Sequence, residues 1–370
     1  MSSRQEFVRL ATAQGANIRA LCRSFGISAQ TAYKLLARFK EQGVEGLRER
    51  SRKPLSSPRR SSAELEARVL ELHDRYPCWG PRKLAALLPE DPARPHPNTI
   101  SAILQRHGRQ VLPSTDVQAP AKKRFEHEAP NLLWQMDFKG HFPLTNPAAG
   151  RCFPLTVLDD HSRFAICLKA CSGETGDQVK RALIEAFRMY GLPERITCDN
   201  GNPWGTPKQN GMTKTEVWLM RVGVPVSHSR PMHPQTQGKD ERFHRTLKRE
   251  LLSRYGFNSL QDCQHALNDW RDQYNLIRPH YALEQKPPIS RYRPSARSYP
   301  ERLCPIEYDS GDAVRKVRGN GYINFLGRQL FVGEGLVGEP VAVRPSDIDG
   351  LFHIVFCMRK IGVIDLRVKR

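Results

Sequence analysis

The chain has 370 residues, 39% of them hydrophobic, an ordinary globular composition that excludes a largely disordered protein. Its 58 Lys+Arg against 38 Asp+Glu leave a formal net charge of +20, which points to a polyanionic partner and above all to nucleic acid. No stretch approaches the roughly 18 apolar residues of a membrane span, and MSSRQEFVRL lacks the apolar core of a secretory signal, so a cytoplasmic protein with no membrane partner is expected.

Residues 1–60 concentrate the imbalance, with 13 Lys+Arg against Glu6, Glu41, Glu45 and Glu49. Within them NIRALCRSFGISAQTAYKLLARFKEQG, residues 17–43, reads as two helices joined at Phe25-Gly26-Ile27, with Ser28 capping the second. Ile18, Leu21 and Cys22 are expected to pack against Ala32, Leu35 and Leu36. That leaves Gln30, Thr31, Tyr33, Lys34 and Arg38 outside, the layout of a helix-turn-helix whose second helix enters a major groove. A plain helical hairpin is the alternative.

RERSRKPLSSPRRSS, residues 48–62, is a basic linker. A second helical unit follows: Ser61 and Glu64 have capping-box spacing before LEARVLELHDRY, and RKLAALL and NTISAILQRHG predict two further helices. The last pair resembles another helix-turn-helix; the Pro-rich PEDPARPHP between them reads as a wing or an unrelated loop. Residues 113–130 form another linker, with Lys122, Lys123 and Arg124.

The pattern then turns to strands in NLLWQMDFKGHF, RCFPLTVLDDHSRFAICLKAC and PERITCDNG, with a helical period over TGDQVKRALIEAFRMYG. Further helices and, from Tyr308, short apolar runs between Gly-containing turns complete the chain; the tail predicts a small β-barrel. Nine cysteines without a C-x-x-C pair are expected to be reduced and mostly buried, and His73, His96, His107 and His127 have no matching cysteine spacing, so no zinc is expected.

Three carboxylates stand out. Strand alternation puts Gln135 and Asp137 on the face opposite Trp134 and Met136, and an Asp inside a strand needs a reason. Asp199 ends the strand RITC before Asn200-Gly201, where open α/β sheets carry their sites. Glu241 opens a helix after Gly238. Taken singly, each has a bland reading as a solvated or turn acid. If the three converge at one end of a sheet, their repulsion is best relieved by Mg²⁺ or Mn²⁺. Asp159 and Asp160 are rival ligands by composition, although a hairpin turn explains them more simply; His161 and Arg163 approach DNA or form a solvated turn.

Together, WQMDFKG, LDDHSRFAI, ITCDNG, HPQTQGKDERFHRTLK and YNLIRPHYALEQKPP resemble the catalytic core of DDE transposases and retroviral-type integrases, most of all the IS481 insertion-sequence transposases. The resemblance implies a helix-turn-helix DNA-binding domain with its linker over 1–55, a second over 56–118, an α/β RNase H-like core over 125–290 and a β-barrel over 300–370. It implies a metal-binding catalytic triad of Asp137, Asp199 and Glu241 with two Mg²⁺ or Mn²⁺ ions, and DNA contact by Lys248. Its 41 residues between Asp199 and Glu241 exceed the family's usual 35 or so, the excess falling in NPWGTPKQNGMTK.

Lys239, His244 and Arg245 join Lys248 as expected DNA contacts, with Gln30, Thr31, Lys34 and Arg38 on the N-terminal unit. The function implied is a transposase that binds terminal inverted repeats, cleaves at the element ends and joins 3′-hydroxyls to target DNA, as at least a dimer on DNA. A DNA-binding regulator without catalysis and a plain nuclease are the competing readings. Along the helix that begins near Gly238, periodicity sends Glu241 and Lys248 to one side and Asp240 into the Phe243, Leu247, Leu251 stripe.

Overall fold

The computed structural model describes residues 2–49, 60–90, 94–109, 126–201, 203–205, 211–228 and 238–367. Most of the first linker, the basic cluster Lys122 to Arg124, most of the loop beyond Trp204 and the HPQTQ run of residues 233–237 lie outside the described residues. The chain falls into two compact units, divided after Ala63.

Among its described residues the first unit has three α-helices, α1 (Ser3–Ala11), α2 (Ile18–Ser24) and α3 (Ala29–Gln42), and a closing 3-10 turn, Gly43–Leu47. The turn after α2 and the Ser28 cap, whose hydroxyl accepts from Thr31 N at 3.2 Å, form as the sequence predicts. Cys22, Ala32 and Leu35 are buried together, with Ile18, Leu21 and Leu36 packed on them. Helix α1 was not anticipated; it adds Phe7 and Val8 to this core and begins with a capping box between Ser2 and Gln5. Gln30, Thr31, Tyr33 and Lys34 are exposed and Arg38 half-buried.

In the second unit α4 (Ala63–Arg75), α5 (Pro81–Ala86) and α6 (Pro97–Arg106) pack around Val69, Leu84, Ile100 and Ile103, none of which reaches solvent. Pro97 occupies the first turn of α6, where its missing N–H costs nothing, and His96 Nδ1 accepts from Asn98 N.

The central sheet has the order β4 (Ala165–Cys171), β3 (Arg151–Asp159), β1 (Trp134–Phe138), β5 (Ile196–Cys198), β6 (Val226–His228), with the short β2 (Phe142–Pro143) also pairing with β3. The first three strands are antiparallel, and β5 and β6 run parallel to β1. This is an RNase H-like sheet.

Period-two alternation sends Trp134, Met136, Leu155 and Val157 toward α7 (Gly176–Tyr190) and α8 (Lys214–Arg221), and Cys152, Leu158 and Leu168 toward α9 (Gly238–Leu247) and α10 (Leu260–Leu276). Full burial of such side chains contributes about 1.5–3 kcal/mol each. Two buried polar residues fasten α10 and the turn after it: Asn275 brackets Ala165 N and O at 2.8 and 3.0 Å, and Arg278 bonds Glu250 at 3.0 Å. The stretch from Tyr274 to His280 thus serves the fold.

Among the described residues the strands of the tail do not close into the expected barrel. An open antiparallel sheet, β12 (Arg359–Asp365), β11 (Leu351–Phe356), β10 (Pro340–Pro345), β7 (Ala313–Lys316), lies with a separate hairpin of β8 (Tyr322–Phe325) and β9 (Arg328–Phe331). Its strands need not close on themselves because α8 supplies part of the cover: Val217 belongs to this core, with Met212 and Met220 against it. Arg221 pairs with Glu339 at 2.6 Å, and Gly335 approaches the Met212 carbonyl so closely that an added Cβ would lie 2.1 Å from that oxygen.

The nine cysteines are unpaired, six of them buried. Among the described residues no helix is long and apolar enough to cross a membrane.

Candidate active site

Asp137 sits near the end of β1, with Thr156 opposite it on β3 and β5 beside it in parallel register. Asp199 follows β5 directly, and its Oδ1 accepts from Gly201 N at 3.0 Å as the chain turns. The two acids feel each other: burial, then the charge of Asp199, then that of Glu174 push Asp137 up to about 7. The carboxylate form is destabilised there, and either a proton or a bound cation relieves it.

Glu241 is exposed on the first turn of α9, and Asp240 beside it is 2% exposed. Asp240 lies on the side of Phe243, Leu247 and Leu251, all buried against α10, as periodicity predicts. Glu241 is not drawn into the pair: among the described residues no three His, Cys, Asp or Glu side chains form a group that would hold a metal ion.

His244 and Lys239 depart from the expected DNA contacts. His244 turns inward, with Nε2 2.9 Å from Thr156 Oγ1, which itself donates to the Asp137 carbonyl. Nδ1 is then the bare nitrogen, 3.9 Å from Asp137 Oδ2. Burial, reinforced by Lys139, lowers His244 to about 4, so the ring is neutral and braces β1. Lys239 bonds the carboxylate of Asp160. That carboxylate is fully buried and also accepts from His127 N at 2.9 Å and Gln135 Nε2 at 2.7 Å.

Asp160 is therefore an anchor for the start of α9, and Asp159 holds its own turn through Ser162 and Asn131. The hairpin reading of these two acids stands. Arg163 pairs with Glu126 at 2.7 Å, and His161 Nδ1 lies 2.8 Å from the His127 carbonyl.

Arg245 and Lys248 are exposed. Lys248 begins a π turn, Lys248–Leu252, in which Ser253 N bonds Lys248 O; the sequence suggested an uninterrupted helix. Lys139 lies near enough to Lys248 for the second charge, after burial, to lower it. Lys139 went unnoticed in the sequence, although alternation sets it on the Asp137 side of the strand. Glu174 gave no signal beyond that of an acid before a helix. Part of the long loop is a fixture of the core: Trp204 is 3% exposed and stacks on Phe138 at 5.6 Å.

The sequence matches the integrase core domain over residues 127–234 and again over 222–288. It matches a helix-turn-helix domain over 3–54, a homeodomain-like domain over 31–104, and the C-terminal domain of the IS481 family transposases over 312–370. The chain belongs to the DDE transposase and integrase family, of the IS481 type.

This family is one of polynucleotidyl transferases. Among its relatives, the insertion element IS476 uncharacterized 39.2 kDa protein of Xanthomonas euvesicatoria is 29% identical over 239 residues, 64% of this chain and 66% of that one. The insertion element IS407 uncharacterized 31.7 kDa protein of Burkholderia multivorans is 28% identical, over 63% of this chain and 82% of its own length. The chain thus spans about two thirds of the first of these. A solved structure, the HTLV-2 integrase catalytic core domain in complex with magnesium, is 17% identical over 45% of this chain and 99% of its own, with a TM-score of 0.34.

Proposed function

We propose that the chain is the transposase of an insertion element, binding the terminal inverted repeats, cleaving at the element ends and joining 3′-hydroxyls to target DNA. The observation that carries this reading is the pair Asp137, on β1, and Asp199, just past the neighbouring parallel strand β5, with Asp137 partly buried and repelled by Asp199. An all-carboxylate donor set suits Mg²⁺ or Mn²⁺. Asp137 and Asp199, with Glu241 from α9, would hold two such ions, whose chemistry when bound is to activate a water or 3′-hydroxyl and stabilise the departing oxygen.

The chain's own groups do the remainder. Lys139, Lys248 and Arg245 hold backbone phosphates at the site, Thr156 and His244 fix the strand that carries Asp137, and Gln30, Thr31, Lys34 and Arg38 face the inverted repeat. The unit over 56–118 is a second end-binding module, 125–290 carries the chemistry, and the sheets of 300–370 add phosphate contacts. No Ser or Tyr nucleophile is required. Because two ends must be paired, the active form is at least a dimer on DNA.

Joining of pre-cut inverted-repeat ends, with Mg²⁺ or Mn²⁺, tests the reading on the wild type and Glu241→Gln. Metal-dependent joining by the wild type alone is expected. Cleavage without joining would indicate a nuclease, and end binding without either a regulator.

A further inference from the structure

Asp199 is held by more than its own turn. Its carbonyl oxygen lies 2.8 Å from His228 Nδ1, and His228 is the residue paired with Cys198 across β5 and β6. The other ring nitrogen, Nε2, lies 2.7 Å from Glu216 Oε1. Glu216 belongs to the first turn of α8, where its second oxygen accepts from Thr213 N at 2.6 Å and its own N–H donates to Thr213 Oγ1 at 3.2 Å.

One carboxylate therefore closes a capping box and grips an imidazole at the same time. Both ring nitrogens of His228 lie within hydrogen-bond distance of an oxygen, which fixes the ring's orientation. Helix α8 is in turn clamped from behind by the C-terminal sheets through Val217 and the Arg221–Glu339 pair. The result is a continuous strut from α8 to the peptide that carries Asp199.

We propose that Glu216 and His228 are positioning residues for Asp199, setting the angle at which its carboxylate is presented. Neither touches the reacting atoms; Glu216 acts through His228, and His228 through the Asp199 carbonyl. The proposal rests on the reading of Asp199 as a metal-holding acid. Asp199 follows a three-residue strand and precedes a turn, so its own backbone pairing is slight. An external brace is what such a short element lacks.

Electron paramagnetic resonance of free Mn²⁺ measures the ion's affinity for the full chain without reference to activity. Glu216→Gln and His228→Asn are each expected to weaken Mn²⁺ binding about tenfold, the scale of losing a partner that orients a ligand. The double variant should lose no more than either single one, because both act along one path. Thr213→Ala, which removes the helix cap and spares the Glu216–His228 bond, should lower the unfolding temperature and leave Mn²⁺ affinity unchanged.

Wild-type affinity in both single variants, multiplied losses in the double, or an equal loss in Thr213→Ala would overturn the proposal. Asp199→Asn must itself abolish the binding that the others weaken; if it does not, the positioning role fails too. Wild-type protein that binds Mn²⁺ through Asp199 but joins no DNA ends would remove the transposase reading and leave the brace standing.

Discussion

Asp240 and Glu241 are consecutive, yet Asp240 is buried at 2% exposure on the core side of α9 while Glu241 is exposed to solvent. Burial, helped by the charges of Asp137 and Asp160, raises the Asp240 carboxyl well above its usual range, and one of its oxygens is buried without a hydrogen-bond partner. Asp240→Asn should therefore leave end joining within about twofold of wild type and raise the unfolding midpoint at pH 8 by about 2–4 °C, the shift that 1 kcal/mol gives in a domain of this size. A folded Asp240→Asn protein that joins no ends would refute this division of labour.

The sign of the pH dependence follows from the same group. An acid whose folded pKa is raised keeps its proton in the native state after the unfolded chain has released it. Its penalty is absent below the unfolded value near 3.8 and grows as pH rises through that value toward the folded one. The difference in unfolding midpoint between Asp240→Asn and wild type should widen from pH 4 upward; a constant or shrinking difference would contradict it.

Asp137, pushed up to about 7, carries a second pH effect. Below that value a proton competes with the cation for the carboxylate. The Mn²⁺ concentration needed for half-saturation should rise as pH falls from 7 to 6, by up to about tenfold for one displaced proton, and level off above 7. Titrations at pH 6, 7 and 8 measure it, and a flat profile would speak against Asp137 as a ligand.

Glu241→Gln changes an exposed side chain and is expected to leave the unfolding midpoint and end binding near wild type. Joining should fall at least about a hundredfold, as when a group acting only on developing charge is removed. Equal loss of binding and joining would place Glu241 in the DNA interface instead.

Glu250 and Arg278 are both nearly excluded from solvent, with side chains 3% and 7% exposed. Glu250→Ala leaves a buried guanidinium without its partner and should destabilise the protein by about 3–5 kcal/mol. Denaturant unfolding measures it; a loss below about 1 kcal/mol would mean that the site admits water.

Lys34→Ala, on the exposed side of α3, should weaken end binding and reduce its salt slope by about 1, the signature of one lost phosphate contact. An unchanged slope would remove α3 from the phosphate interface.

Much of the core was legible because strand and helix periodicities are strong there: the alternation around Asp137 and the stripe of Phe243, Leu247 and Leu251 both appear as the residues predict. The Ser28 cap and the Phe25 to Ile27 turn were local signals, and local signals survived. What escaped depends on partners distant in sequence. His244 and Lys239 look like DNA contacts in a basic run, but Thr156 and Asp160, 88 and 79 residues away, claim them. The π turn after Leu247 leaves no mark that periodicity detects over so few residues, and β2 and β6 are too short for alternation to establish.

The borrowed cover of the C-terminal sheets has a consequence for how the molecule comes apart. Val217, Met212 and Met220 close a core otherwise built from the last sixty or so residues, so cutting the chain near Tyr308 would bare apolar surface on both fragments. The tail and the catalytic region should melt in one cooperative transition, and a truncated core should fail by aggregation.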